Sequence, residues 1–257
     1  MKSTKPFVLA CSLLLGMSPA AFSSQSIDRG TVTRKGDSIF INGAIFPGME
    51  VDFRRLLDSA VRSVVVTSEG GETGTAMAIG EAMRLAKLNV VVEKYCISSC
   101  ANYIFVSGVK KVVKPSSVVA WHGGHSNYPF PREDADQRAL IRAKEMLHRE
   151  QVMYLRLRVS LDLIVYSGLL TAGKLVNGTH TVTIAGTKAE IRNAIRDFTD
   201  WIPNRQTLER LGVTGITSFW HPGGDAEASR LLQSFGFRDA KAFTGAPYSH
   251  VPTAIGN

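Results

Sequence analysis

The fold is decided by three short sequences between residues 68 and 122: Ser68-Glu69-Gly70-Gly71, Cys96-Ile97-Ser98-Ser99-Cys100 and Val118-Val119-Ala120-Trp121-His122. Each of them comes at the end of an apolar run whose composition is typical of a β-strand. Small and apolar residues at helical spacing separate the first two runs, which indicates alternating strands and helices and therefore a parallel sheet. Because parallel strands carry their functional groups at their carboxyl ends, we expect these three ends to meet at one site.

Further elements are predicted on both sides of this stretch. The pattern indicates a hairpin at 31–46, helices at 49–60, 132–158, 161–170, 204–211 and 226–235, and strands at 179–185 and 213–220. We therefore predict one α/β domain over residues 24–220, followed by a C-terminal extension at 221–257 that is partly disordered. A chain of 257 residues is long enough for such a domain to bury a sizeable core.

The first 23 residues have the pattern of an export signal. Lys2 and Lys5 precede an apolar segment at 7–17, and small residues suited to cleavage follow at 18–23. The apolar segment is shorter than the roughly 20 residues that a membrane-spanning helix needs. We therefore expect an exported, periplasmic protein; the alternative is a protein anchored in the inner membrane by an uncleaved signal.

The distribution of charge bears on the kind of partner. The chain has a net charge of +8, and its basic residues are spread among acidic ones, as at 132–134. This pattern is typical of a solvated surface, whereas proteins that bind nucleic acid present a continuous basic patch or stripe. We therefore expect no nucleic-acid partner.

The residues at the three strand ends are those of a serine acyl-transfer site. A serine hydroxyl becomes a nucleophile when a base accepts its proton and donors stabilise the oxyanion. Ser98 or Ser99 lies where a strand turns into a helix, and His122 is a suitable base. Glycine lets the backbone approach a substrate closely, so Gly70-Gly71 can supply an oxyanion donor.

Two cysteines remain once Cys11 is removed with the signal, and they bracket the serine turn. An oxidising compartment permits a disulfide, so we predict that Cys96 and Cys100 are joined and hold this turn in place. The alternative is two buried thiols that act as small apolar residues.

The stretch from about residue 39 to residue 122 resembles the Clp protease/crotonase superfamily, specifically its Clp-protease-like serine peptidase branch. The family's Ser-Pro-Gly-Gly loop is similar to the sequence at 68–71, with Glu69 in place of proline. The resemblance assigns the nucleophile to Ser98 and the base to His122, with oxyanion donors at Gly71 and Ser99. The family's aspartate lies twelve residues before a glycine that ends a helix, and counting back from Gly212 gives Asp200, with Asp197 as a competitor.

The resemblance implies an α/β fold of the Clp/crotonase type, with repeated strand/helix units, and a serine endopeptidase that acts on a peptide or protein substrate. It implies no metal or organic cofactor. No ATPase partner is expected, because an exported protein has no ATP supply. Family members often form rings, so a homo-oligomer is compatible with the resemblance.

Other interpretations of the same residues remain open. A binding or scaffold protein could keep the fold while its catalytic site has decayed, and an esterase or an acyl-CoA enzyme could use the oxyanion loop alone. His122 and His125 could also form a zinc pair, although the sequence offers no third ligand at a convincing spacing.

Overall fold

The computed structural model describes residues 29–127, 136–171, 179–184, 187–192 and 198–247. Several predicted features lie outside these residues: the signal at 1–23, the beginning of the helix at 132–158, the end of the C-terminal extension and the candidate acid Asp197. Among the described helices, none is long and apolar enough to cross a membrane.

The described residues form a mixed α/β structure, as the sequence predicts. The strands are β1 (Thr31–Lys35), β2 (Ser38–Asn42), β3 (Ser63–Ser68), β4 (Asn89–Ile97), β5 (Lys111–Val113), β6 (Val118–Ala120), β7 (Thr179–Ile184), β8 (Thr187–Arg192), β9 (Asp200–Trp201), β10 (Ile216–Phe219) and β11 (Ala242–Phe243). The α-helices are α1 (Met49–Leu56), α2 (Thr73–Leu85), α3 (Gln137–Leu157), α4 (Asp162–Thr171), α5 (Arg205–Arg210) and α6 (Asp225–Ser234). A π-helix at Cys100–Phe105 and a 3-10 turn at His125–Asn127 complete the secondary structure of this part of the chain.

Seven strands form one mostly parallel sheet. Its order is β1-β2-β3-β4-β5-β10, and β6 also pairs with β4. Only the β1–β2 hairpin is antiparallel among these pairings of described strands. The β7–β8 hairpin and the β9–β11 pair form two small sheets of their own. The carboxyl ends of β3, β4 and β6 therefore lie side by side, as the sequence predicts.

The sheet is buried because its central strands are rich in valine. Val64 and Val66 of β3 and Val90 and Val92 of β4 are fully buried, as expected for parallel strands that are covered by helices. Helix α2 packs closely on the π-helix: a side chain at Gly80 would clash with the carbonyl of Tyr103. The small residues of α2 thus allow two helical segments to approach above the strand ends.

Strand β4 changes its partner along its length. Its first half, Val90–Val92, pairs with β5, and its second half, Tyr95–Ile97, pairs with β6. The register between β3 and β4 also shifts after Val66. As a result, β6 lies beside the carboxyl-terminal half of β4, and the residues that follow both strands emerge next to each other.

Helix α1 is shorter than the predicted helix at 49–60. It ends at Leu56, and Leu57 is extended. Asp58 then forms a turn, because its carboxylate accepts a hydrogen bond from the N–H of Ala60 at 2.8 Å and pairs with Arg34 at 2.6 Å. The carboxylate of Asp58 thus finds its hydrogen-bond partners in a turn. Because this turn competes with the helical conformation, the helix ends early.

The segment after β10 is integrated into the structure. It contributes α6, close to the predicted helix at 226–235, and β11, which the sequence does not predict. Ala242 pairs with Asp200 and Phe243 with Trp201, so β11 lies in parallel beside β9. The described residues of the extension therefore support the segment that carries Asp200.

Candidate active site

The turn after β4 places Ser98 in an unusual backbone conformation. Ser98 has φ +58°, in the left-handed region that residues other than glycine seldom adopt. Its N–H donates to the carbonyl of Ala120 at 3.1 Å, and its carbonyl accepts from the N–H of Asn102 at 2.8 Å. Ser98 thus ends the strand pairing and begins the helical segment at the same time. Backbone strain of this kind is common at functional sites, where the surrounding structure maintains it.

The Gly70-Gly71 loop lies directly against this serine turn. A Cβ atom added to Gly70 would lie 2.6 Å from the carbonyl oxygen of Ile97 and 2.8 Å from the Cβ of Ser98 and the nitrogen of Ser99. Gly70 also has φ +90°. Only glycine fits this position, because any side chain would push the two loops apart.

The peptide bond between Gly70 and Gly71 has a defined orientation. The N–H of Ile45 donates to the carbonyl of Gly70 at 2.7 Å. Since the C=O and N–H of a trans peptide point in opposite directions, the N–H of Gly71 points away from Ile45 and toward the β4 side. Among the hydrogen bonds of the described residues, none is donated by the backbone N–H of Gly71 or Ser99. Both donors are therefore available to an oxyanion.

The two serines differ in what their side chains do. The hydroxyl of Ser99 donates to the carbonyl of Gly71 at 2.9 Å, and the residue is buried. Ser98 is half-buried and occupies the strained position of the turn. The hydroxyl of Ser99 thus connects the turn to the glycine loop, which makes Ser98 the better-placed candidate for a nucleophile.

A disulfide closes the serine turn. It joins Cys96, at the end of β4, to Cys100, at the start of the π-helix, and the two Cα atoms are 5.2 Å apart. Both cysteines are fully buried. The bridge spans the backbone on either side of Ser98, so the strand end and the helix start are covalently fixed relative to each other.

His122 and Asp200 are brought together by a short backbone pairing. Trp121 and Trp201 form an antiparallel bridge, with reciprocal hydrogen bonds of 2.9 and 2.7 Å. The residue after Trp121 therefore lies opposite the residue before Trp201. His122 Nδ1 is 3.9 Å from Asp200 Oδ1, and the histidine side chain is 42% exposed while that of the aspartate is 11% exposed.

The distance of 3.9 Å is longer than a hydrogen bond, which spans about 2.7–3.2 Å between nitrogen and oxygen. Catalytic hydrogen bonds are often long before substrate binds and shorten in the complex. The geometry thus places Asp200 where it could orient His122.

The serine turn and the histidine lie on neighbouring strands. Ile97 of β4 pairs with Ala120 of β6, and paired strands lie about 4.8 Å apart. Ser98 comes one residue after this pair and His122 two residues after it. Ser98 and His122 therefore emerge at adjacent strand ends, with Asp200 on the far side of the histidine.

The loop after His122 is held by a buried glutamate that the sequence analysis did not identify. Glu150 of α3 is fully buried and accepts four hydrogen bonds: from the N–H of His125 at 3.0 Å, the N–H of Ser126 at 2.8 Å, the hydroxyl of Ser126 at 2.6 Å and the hydroxyl of Tyr103 at 2.6 Å. A buried carboxylate is stable only when its acceptor sites are filled in this way. Glu150 therefore fixes the loop to the helical layer.

The tyrosine in this cluster stays protonated. Burial raises the pKa of Tyr103 well above its usual value, and the negative charge of Glu150 and the hydrogen bond to it raise that pKa further. The hydroxyl of Tyr103 is thus a permanent donor to Glu150 over the range of pH in which proteins work.

Helix α4 and the π-helix hold the first residues of the same loop. Thr171 donates to the carbonyl of His122 at 2.9 Å, and the N–H of Gly123 donates to the hydroxyl of Ser167 at 3.0 Å. The carbonyl of Gly123 accepts from the amide of Asn102 at 2.8 Å. The backbone of His122 is therefore positioned by side chains from two separate helical segments.

The zinc interpretation finds no further ligand. In the part of the chain that the structure describes, no three His, Cys, Asp or Glu side chains form a group that could hold a metal ion. The N–H of His125 instead donates to the carboxylate of Glu150. The second histidine thus belongs to the loop anchor.

No family model and no curated protein sequence matches this chain. Solved structures that are similar to it include a mutant of ClpP1 from Listeria monocytogenes. That protein is 19% identical over 48% of this chain and 70% of its own chain, with a TM-score of 0.36.

Proposed function

We propose that this protein is an exported serine hydrolase that cleaves peptide bonds in a peptide or protein substrate. One observation carries the proposal: the turn that strains Ser98 lies between a glycine loop with available N–H donors and the facing pair of His122 and Asp200. Nucleophile, base, orienting acid and oxyanion donors are the parts of a serine peptidase site.

In the proposed reaction, the hydroxyl oxygen of Ser98 attacks the carbonyl carbon of the substrate while His122 accepts the hydroxyl proton. The oxyanion that forms is stabilised by the N–H groups of Gly71 and Ser99. His122 then donates its proton to the leaving amine, and an acyl-serine ester remains. Water attacks this ester by the same route in reverse, which releases the acid and regenerates Ser98.

Asp200 has an orienting role in this scheme. Its carboxylate would accept the Nδ1 proton of His122, so that the other ring nitrogen, Nε2, faces Ser98. Asp200 does not itself exchange a proton with the substrate. The largely buried position of its side chain suits this role, because electrostatic attraction is less screened away from water.

The resemblance in sequence supports a more specific proposal about the family and the cofactor requirement. It favours the Clp-protease-like branch of the Clp/crotonase superfamily, with its repeated strand/helix units, and it implies activity without a metal or an organic cofactor. The signal-like segment at 1–23 favours the periplasm, where no ATP-driven partner would assist. A homo-oligomer remains part of this proposal.

A serine-directed fluorophosphonate tests the proposal directly. The wild-type protein should be labelled, and Ser98→Ala should abolish labelling. His122→Ala should lower the labelling rate by more than about 100-fold, whereas Asp200→Asn should have a smaller effect, since the acid only orients the base. Absence of labelling in the folded wild type, with several probes, would contradict the proposal and favour a binding protein with a decayed site.

A digest of a peptide library by the purified protein tests the reaction class. Cleavage that disappears in Ser98→Ala identifies a serine peptidase. If the protein is labelled and hydrolyses esters but no peptide, the acyl-transfer mechanism holds and the peptidase assignment fails.

A further inference from the structure

The carboxylate of Glu69 is the one acidic group that lies within the oxyanion loop itself. It stands where the resembling family has proline, between Ser68 and Gly70. Gly70 contacts both Ser98 and Ser99, so Glu69 is a single residue away from the serine turn. Consecutive Cα atoms are about 3.8 Å apart, which places this carboxylate within side-chain reach of a substrate bound to Ser98.

The position of Glu69 follows from the pairing of β3 with β4. Ser68 of β3 pairs with Cys96 of β4, so Glu69 comes one residue after this pair on its own strand and Ser98 two residues after it on the other. Glu69 therefore lies at the same edge of the sheet as the serine turn.

Glu69 has no compensating partner among the described residues. One of its carboxylate oxygens, Oε2, is removed from water and accepts no hydrogen bond there. No ion pair joins Glu69 to any Lys or Arg in that part of the chain, although the protein carries an excess of basic residues. Other acids in this part of the structure are satisfied: Glu93 pairs with Lys114 at 2.6 Å, and Glu150 accepts four hydrogen bonds.

An unpaired carboxylate oxygen that is shielded from water is unfavourable, because it loses its hydration and gains no donor in return. Glu69 as a whole is only partly buried, so a cation that arrives with the substrate can approach this carboxylate and supply the missing charge partner. Lysine and arginine are the side chains that combine positive charge with several N–H donors and a stem long enough to reach into a cleft.

We infer that Glu69 forms a subsite for a lysine or arginine side chain of the peptide substrate, next to the bond that Ser98 attacks. The inference rests on the proposed peptidase function and deepens it by naming the class of substrate. The net charge of the whole protein is positive, so long-range attraction does not favour cationic peptides. A measured preference for cationic peptides would therefore be due to a local binding site.

Matched peptides test this inference. The peptides of a set have the same sequence except at one position near the scissile bond, which is lysine, arginine, norleucine or glutamate. We expect wild-type kcat/KM to be at least about tenfold higher with lysine or arginine than with norleucine, a difference of about 1.4 kcal/mol. Glutamate at that position should be the poorest substrate.

Two variants separate the subsite from the rest of the protein. Glu69→Gln should bring the lysine-to-norleucine ratio of kcat/KM close to one, through a fall in kcat/KM for the lysine peptides relative to the norleucine peptides. Glu93→Gln is the matched control: it removes a carboxylate from the neighbouring strand whose charge is already paired at the surface, and it should keep the wild-type ratio.

The outcomes also separate this inference from the proposed function. If the wild type is labelled by fluorophosphonate and cleaves peptides without favouring a basic residue, the subsite is wrong and the peptidase stands. If it is neither labelled nor active on any peptide, the proposed function fails and the subsite fails with it. The wild-type peptide comparison decides the matter even if Glu69→Gln does not fold.

Discussion

The two halves of the candidate site are built by different means. The serine turn is fixed by strand pairing with β6, by the disulfide between Cys96 and Cys100, and by close backbone contact with Gly70. The loop after His122 is fixed by side chains that come from α3, α4 and the π-helix. Ser98 thus depends on backbone contacts and a covalent bridge, whereas the loop of His122 depends on side chains from other helical segments.

This difference predicts how each half responds to change. A substitution in the serine turn should alter the backbone itself, so activity and stability should fall together. A substitution in the anchors of the histidine loop should displace a loop on an intact sheet, so turnover should fall more than substrate binding. Four variants test this contrast, and the largest expected effect comes first.

Gly70→Ala should have the largest effect. The new Cβ would overlap the carbonyl of Ile97 and the nitrogen of Ser99, and the backbone at φ +90° disfavours any side chain. We expect a loss of about 4 kcal/mol in the free energy of unfolding, measured by denaturant titration, together with loss of fluorophosphonate labelling.

Gly36→Ala is the matched control for this prediction. Gly36 also has a positive φ, +62°, but a Cβ there has no atom within 4 Å. Because only backbone strain is added, Gly36→Ala should lower the free energy of unfolding by about 1 kcal/mol and leave labelling unchanged. Equal effects of the two variants would show that the contact with the serine turn is unimportant.

Glu150→Gln should mainly affect turnover. The amide replaces one acceptor oxygen by a donor group and removes the charge, so it cannot satisfy both N–H groups of His125 and Ser126 as well as the hydroxyl of Tyr103. We expect kcat to fall by about 10- to 100-fold with little change in KM, and stability to fall by about 2–3 kcal/mol.

Glu81→Gln serves as the comparison for Glu150→Gln. Glu81 pairs with Arg149 at 2.9 Å, but this ion pair is more than one-third exposed on both sides. Exposed pairs contribute about 0–1 kcal/mol, so activity and stability should stay near the wild-type values. If Glu150→Gln lowers stability alone and leaves kcat unchanged, Glu150 is structural and does not position the base.

Removal of the disulfide should have a moderate effect. A Cys96→Ser, Cys100→Ser double variant should lose about 2 kcal/mol of stability on the chain-entropy estimate for so short a loop. Because the bridge spans Ser98, we also expect slower labelling, at an unchanged extent. Thiol titration of denatured, unreduced wild-type protein should find no free thiol at Cys96 or Cys100, and free thiols at both positions would rule the bridge out.

Ser99→Ala should have the smallest effect. It removes one hydrogen bond, from the serine hydroxyl to the carbonyl of Gly71, and leaves the backbone N–H in place. We expect a loss of about 1 kcal/mol in stability and a labelling rate within a few-fold of the wild type. Complete loss of labelling here, with Ser98→Ala still labelled, would move the nucleophile to Ser99.

Much of the arrangement could be predicted because it follows from local sequence. The runs at 61–67 and 89–95 each contain three consecutive valines, and a parallel sheet needs such continuous apolar runs with helices between them. Adjacent parallel strands bring their ends together whatever the details of packing, which is why Gly71, Ser98 and His122 were expected at one edge. The assignment of Asp200, by contrast, followed only from its separation from Gly212 along the sequence.

The rest depends on contacts that leave no local pattern. Glu150 lies in a charged helix and has the same sequence context as its exposed neighbours, and only its contacts with Tyr103 and Ser126 make it a buried anchor. Strands β9 and β11 have two residues each, too few for any periodicity to be visible. Asn102 and Thr171 likewise gain their roles from the loop that they contact.

The bridge between Trp121 and Trp201 has a consequence for the order of folding. It joins two positions that are far apart in the chain, and closing so large a loop costs entropy before any contact repays it. The serine turn, by contrast, can form as soon as β3, β4 and β6 have paired. During folding the serine turn would therefore be in place before His122 meets Asp200, and the assembled site would arise only after β9 docks. Under the proposed function, the protein would therefore stay inactive until the segment that carries Asp200 has docked.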